Sequence, residues 1–146
     1  MTQITKVTPA NVRALAALQH DLWPDDELLD LLVADQAALR QERSHYWLAM
    51  DNGQAVGFCE VTLRQDYVEG STVTPTGYLE GIYVAPALRQ QGIGRQLVGT
   101  ATKWLQSTGI TAMGSDVALT NTVSQHFHKT LGFQEVNRLV HYLKDI

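Results

Sequence analysis

From position 89 to 95 the chain reads Arg89-Gln90-Gln91-Gly92-Ile93-Gly94-Arg95, just after the strand-like run Leu79-Glu80-Gly81-Ile82-Tyr83-Val84 and the break at Pro86. Glycines at 92 and 94 leave bare backbone, so amide N–H groups can approach an anion closely, and a helix starting there adds its positive end. Arg89 and Arg95 bring charge-assisted donors to the same place. The chemistry this fits is the cradling of a diphosphate; a glycine-rich turn capping an ordinary helix is the other reading of the same residues. Two familiar nucleotide motifs do not fit. The third glycine and the acid about 20 residues on that mark a dinucleotide fold are missing, and no Gly-Lys-Ser/Thr of a P-loop follows. Glu80 stands among Leu79, Ile82 and Val84, where an unpaired buried carboxylate is costly, so a functional role is favoured.

These residues need elements to hold them. Residues 4–7 read as a strand. Thr8-Pro9 reads as a helix start, Thr8 capping and Pro9 in the first position, before the apolar stripe Val12, Leu15, Ala16 and Leu18. The acidic run Asp25-Asp26-Glu27 suits the start of a second helix, carrying Leu28, Leu31 and Leu32 to about residue 43. Residues 45–50 and 54–64 read as strands joined by the hairpin turn Asp51-Asn52-Gly53, and 78–84 as another strand. A helix follows over 92–107, with Leu97, Val98, Ala101, Trp104 and Leu105 on one side. Residues 110–115 read as a strand, 121–131 as a helix and 133–143 as a final strand or hairpin. The order β-α-α-β-β-β-α-β-α-β predicts an α/β (α+β) fold, a mixed sheet flanked by helices, with residues 1–146 forming a single domain.

Composition bounds the function. Asp and Glu outnumber Lys and Arg by 15 to 11, giving a net charge of −4. No basic cluster marks a nucleic-acid face, and a cationic partner fits better than an anionic one. No apolar run approaches the roughly 18 residues of a membrane span. Residues 1–6 lack the basic patch and apolar stretch of a secretory signal, and Cys59 is the only cysteine, so a cytoplasmic protein is expected. Cys59 itself reads as a small packing residue. His20, His45, His126 and His141 show no metal-ligand spacing, and no metal is expected.

The strand Leu79-x-x-Ile82-x-Val84-x-Pro86 followed by Arg89-x-x-Gly92-x-Gly94 resembles the coenzyme A-binding motif of the GCN5-related N-acetyltransferases (GNAT). Asn121-Thr122-Val123-Ser124-Gln125-His126-Phe127-His128-Lys129-Thr130-Leu131-Gly132-Phe133 resembles that family's Asn-x-x-Ala-x-x-Leu-Tyr-x-x-x-Gly-Phe. The resemblance implies acetyl-coenzyme A as cosubstrate. Backbone groups of Ile82, Tyr83 and Val84 would pair with its pantetheine arm, and amides of Gln90, Gln91, Gly92, Ile93, Gly94 and Arg95, with the Arg89 side chain, would hold its pyrophosphate. Asn121 would reach the pantetheine. The family's tyrosine acid falls on His128, a departure that leaves His128 as the candidate donor to the leaving thiolate.

Leu22-Trp23-Pro24, Arg64-x-Asp66-Tyr67-Val68-x-Gly70, Ser115-Asp116 and Asn121-x-x-Ser124-x-x-x-His128 are similar to segments of the aminoglycoside 6'-N-acetyltransferases, antibiotic-inactivating enzymes. That likeness implies an aminoglycoside pocket lined by Trp23, Tyr67, Glu80 and Asp116. A further acid of that group is replaced here by Asn137, and a homodimer is implied by the same likeness. Such an acceptor carries several ammonium groups, which carboxylates bind, and flat sugar faces, which aromatic rings cover. Binding the ammonium opposes reaction: an amine with a lysine-like pKa of about 10.4 loses roughly 4–5 kcal/mol to deprotonation at pH 7. Glu80, on the coenzyme strand, is therefore expected to take the amine proton while Asp116 anchors other amines. A GNAT enzyme acting on another amine (a polyamine, an amino acid or a protein amino terminus) and a non-catalytic acyl-coenzyme A-binding module are the alternatives.

Overall fold

The computed structural model describes residues 1–146. Strand β2 (His45–Asp51) dictates the layering, because both of its faces are apolar. Tyr46 and Leu48 are buried on one side, Trp47 and Ala49 on the other. A strand of that kind must be covered twice. Helices α1 (Val12–Leu22) and α2 (Leu28–Arg40) cover the first face through Val12, Leu15, Ala16, Leu18 and Leu32. Helix α3 (Ile93–Ser107) covers the second through Ile93, Leu97, Val98 and Ala101, with Phe127 of α4 (Thr122–Thr130) beside it.

The sheet runs β1 (Thr2–Lys6), β2, β3 (Gln54–Arg64), β4 (Thr76–Val84) and β5 (Met113–Ser115), in chain order. Neighbours are antiparallel except β4 and β5, which are parallel because α3 carries the chain back between them. The β2–β3 hairpin closes on Asn52 and Gly53 with φ of 51° and 79°, the paired positive values a two-residue turn of this hand requires.

One irregularity sets up the cleft. Glu60 pairs with Gly81 but Val61 pairs with Leu79, so Glu80 is an extra residue bulged out of the β3–β4 ladder. The bulge reverses the side-chain parity of β4. Leu79 and Ile82, three apart, both join the α3 core, while Gly81 and Tyr83 face α1.

Several expected boundaries change; β1 lies at Thr2–Lys6 rather than 4–7, and β4 begins at Thr76 rather than 78. Asn11, whose Oδ1 accepts from the Thr8 N–H at 2.8 Å, turns the chain before α1, so the helix begins at Val12 rather than at Pro9. Helix α2 stops at Arg40 instead of about residue 43, and Glu42 takes a positive φ of 53°. Strand β5 is three residues, not six, because β4 offers it partners only at Gly77, Tyr78 and Leu79. The expected final strand over 133–143 is absent: residues 133–146 take no regular structure, for no strand of this chain lies alongside to complete a ladder. Val136 still packs on Gly70, where an added Cβ would come within 2.8 Å of it, but Leu139, Val140, Tyr142 and Leu143 are exposed.

Candidate active site

The ladder between β4 and β5 ends at Leu79–Ser115, and the two strands then part. From Glu80 to Val84 the outer edge of β4 has no strand beside it, and the wedge between the parted strands is a cleft. Trp23, Glu80, Gly81, Ser115, Asp116 and Asn121 line it, together with Ile82 and Ser124. Trp23 comes from the connection between α1 and α2. It packs edge-on against Phe58, with ring centroids 6.2 Å apart, and covers Gly81, where an added Cβ would lie 3.4 Å from the indole.

The two carboxylates sit in one network. Glu80 Oε1 accepts from Thr62 Oγ1 at 2.8 Å and from Arg64 Nε at 3.0 Å and Nη2 at 2.8 Å, and its Oε2 accepts from Arg64 Nη2 at 3.0 Å. The Arg64 guanidinium lies 3.5 Å from the centroid of the Tyr78 ring. Tyr78 in turn donates its hydroxyl to Asp116 Oδ2 at 2.5 Å. Burial, and after it the bond to Asp116, push the Tyr78 phenol up to about 12, so it remains a donor at any working pH. Asp116 is thereby oriented, and its Oδ1 is left for the cleft.

At the mouth of α3 the backbone is open. Gln90 and Gly92 have φ of 64° and 84°. The first bond of the helix runs from Gln96 N–H to Gly92 C=O, and the six N–H groups of residues 90–95 have no acceptor within the chain. Unpaired amides at a helix start form an anion site. Nothing lies within 4 Å of a Cβ added at Gly92, whereas at Gly94 such an atom would meet the Phe127 ring at 3.0 Å. Gly92 thus serves the backbone turn and Gly94 the close packing of α3 on α4. The two arginines expected here are turned elsewhere: Arg89 Nε donates to Val84 C=O at 2.8 Å, and Arg95 Nη2 to Thr130 C=O at 3.1 Å.

His128 is buried behind the cleft and meets it through Ser115 and Ser124. Its Nδ1 lies 2.8 Å from Ser124 C=O, which can only accept, so this nitrogen carries a proton. Its Nε2 lies 2.8 Å from Ser115 Oγ. In the neutral ring Nε2 accepts the serine proton. In the imidazolium both nitrogens donate, and the hydroxyl turns to Leu79 C=O at 3.4 Å. Asn121 lines the cleft, with its Oδ1 taken by the Ser124 N–H at 3.1 Å as the cap of α4. Tyr67 and Asn137 are not brought in: Tyr67 is 73% exposed on the β3–β4 connection, and Asn137 lies in the exposed tail. Cys59 is fully buried, burial raising its thiol to about 12. No cluster of three His, Cys, Asp or Glu side chains forms a metal-binding set.

Comparison with known proteins reaches the same place. The family model described as "Acetyltransferase (GNAT) family" matches residues 10–133. The chain belongs to that family. This GNAT chain is 33% identical to an aminoglycoside N(6')-acetyltransferase type 1 of Salmonella enteritidis, over 97% of both chains, and 39% identical to one of Acinetobacter genomosp. 13, over 88% of both. A solved structure of AAC(6')-Iy in complex with the bisubstrate analogue CoA-S-monomethyl-acetylneamine superposes with a TM-score of 0.94 at 32% identity, covering 100% of this chain and 99% of that one. Arg64, Thr62 and Tyr78 are the members of the site that sequence reasoning missed. Their signal was the Leu79–Ile82 spacing, which an unbulged strand does not allow across one face.

Proposed function

We propose that this chain transfers the acetyl group of acetyl-coenzyme A to the 6'-amine of an aminoglycoside. The observation that carries the reading is a cleft that joins an open strand edge to two oriented carboxylates beside an indole, on a strand that leads on into the unpaired amides at the start of α3. The edge of β4 at Ile82, Tyr83 and Val84 receives the pantetheine by backbone pairing, and the amides of Gln90, Gln91, Gly92, Ile93, Gly94 and Arg95 receive the pyrophosphate. Trp23 covers a sugar face and Asp116 binds a substrate ammonium. The amine nitrogen attacks the thioester carbon, the C–N bond forms, and the C–S bond breaks. Glu80, through a water, takes the proton the amine gives up, and the thiolate leaves. Transfer is direct in a ternary complex, a reading supported by the inert, buried Cys59.

The test is thiol release from acetyl-coenzyme A with kanamycin, tobramycin, spermidine and a lysine peptide in parallel. Turnover confined to drugs with a free 6'-amine is the expected result; turnover only with spermidine or the peptide refutes the acceptor. Glu80→Gln that keeps full kcat and shifts only the acceptor KM removes Glu80 as proton acceptor.

Two features of setting complete the proposal. Dependence on acetyl-coenzyme A and a single free thiol favour the cytoplasm. The apolar tail, with Leu139, Val140, Tyr142 and Leu143 exposed, favours a homodimer in which it is covered. Light scattering that gives a dimer for the full chain and a monomer for residues 1–134 is the outcome expected. A monomeric full chain refutes it.

A further inference from the structure

An amine attacks a thioester only as the free base, yet a bare carboxylate beside it favours the ammonium. The carboxylate at the bulge of β4 is not bare. Arg64 grips both oxygens of Glu80, at 2.8–3.0 Å, and Thr62 adds a third donor group. The guanidinium is fixed from a second direction by the Tyr78 ring, 3.5 Å away, and that ring's hydroxyl holds Asp116. Asp116 has no ion pair of its own.

We propose that Arg64 is a positioning residue that cancels the charge of Glu80, so that the acceptor amine meets there a hydrogen-bond acceptor of near-zero net charge while Asp116 supplies the attraction for the substrate's other ammonium groups. This deepens the aminoglycoside reading and rests on it. It resolves the conflict between gripping a polycation and releasing one nitrogen as a nucleophile: the two demands fall on different acids. The charged and titratable groups around the pair are Glu60 on β3, Tyr78 on β4 and Asp116 beyond β5, with Asp35 of α2 behind Glu60. Arg64 is the sole cation among them. Without it, Glu60, Glu80 and Asp116 act together to hold the acceptor in its unreactive form.

A mere brace between β3 and β4 makes a different forecast, namely lost stability and a raised acceptor KM with no displaced pH dependence. The experiment is single-turnover acetyl transfer to kanamycin at saturating drug, followed from pH 5.5 to 9, with melting curves for every variant. Arg64→Gln is expected to move the acid limb upward by about one unit, tenfold in proton concentration, the low end of the effect of a charge about 4–6 Å away. Its acceptor KM is expected not to rise. Arg64→Lys, which keeps the charge, restores the limb. Glu80→Gln leaves Arg64 unpaired and moves the limb of the residual rate downward, and the double variant returns it toward the wild-type position. Should Arg64→Gln not melt cooperatively, Glu80→Gln and the double variant carry the same comparison. A limb that stays put in Arg64→Gln or in Glu80→Gln, with only rate or stability reduced, overturns the proposal. Wild-type protein that acetylates no aminoglycoside overturns the reading beneath it, and is seen before any variant is made.

Discussion

Replacing Asp35 should stabilise the chain. It is 4% exposed between α1 and α2, where Gln19 Nε2 donates to its Oδ1 at 3.1 Å. Its Oδ2 and Gln19 Oε1 have no partner. Burial, partly offset by Gln19 and by the neighbouring Tyr46 hydroxyl, raises the carboxyl from 3.8 to about 6. The folded state therefore holds this proton more tightly than the unfolded chain. The stability that protonation contributes is complete below pH 3.8, declines as pH rises toward 6, and is gone above it. A difference of about two units corresponds to about 3 kcal/mol at pH 7. Asp35→Asn removes that charge and supplies an N–H toward the unpaired oxygen of Gln19. We expect a gain of about 1–3 kcal/mol at pH 7, or some 3–9 °C in Tm for a chain of this size. Urea denaturation of both proteins from pH 4 to 8 reads it. The gap should open between pH 4 and 6 and stay constant above. A variant no more stable than wild type at pH 7, or a gap independent of pH, refutes the reasoning.

Other outcomes follow from the same geometry. Tyr78→Phe frees Asp116 to rotate and should raise the acceptor KM several-fold with a smaller change in kcat, measured by thiol release. Gly57→Ala places a Cβ 2.8 Å from the Tyr83 carbonyl oxygen, forcing β3 and β4 apart; a loss of about 1–3 kcal/mol by urea denaturation is expected. Gly92→Ala has room for its methyl group but must hold φ near 84°, so a cost of about 1–2 kcal/mol and weaker coenzyme A binding by calorimetry are expected. With its thiol raised to about 12, Cys59 should resist iodoacetamide at pH 8 in the folded protein and react once urea unfolds it.

What the sequence disclosed was whatever depends on near neighbours. The stripe Leu97, Val98, Ala101 and Leu105 declared α3 and its buried face, and Asn52-Gly53 declared its hairpin. The two glycines placed the open amides. The Thr8-Pro9 start misled because Asn11 offered a competing turn. The ion pair of Arg64 with Glu80 joins residues 16 apart on antiparallel strands, and their meeting depends on a one-residue bulge that local propensity does not encode. The tail alternates like a strand, but pairing needs a second strand, and nothing in residues 133–143 states whether one exists.

The cradle at the start of α3 is built of main chain, whereas the cleft beside the edge of β4 owes its acids and its indole to side chains. Substitution can therefore rewrite one half and leave the other alone. A change from acid to amide among the side chains of the cleft, at Glu80 or Asp116, leaves the main-chain cradle as it is. Descendants of this chain can therefore take up new acceptors while keeping the same grip on the donor.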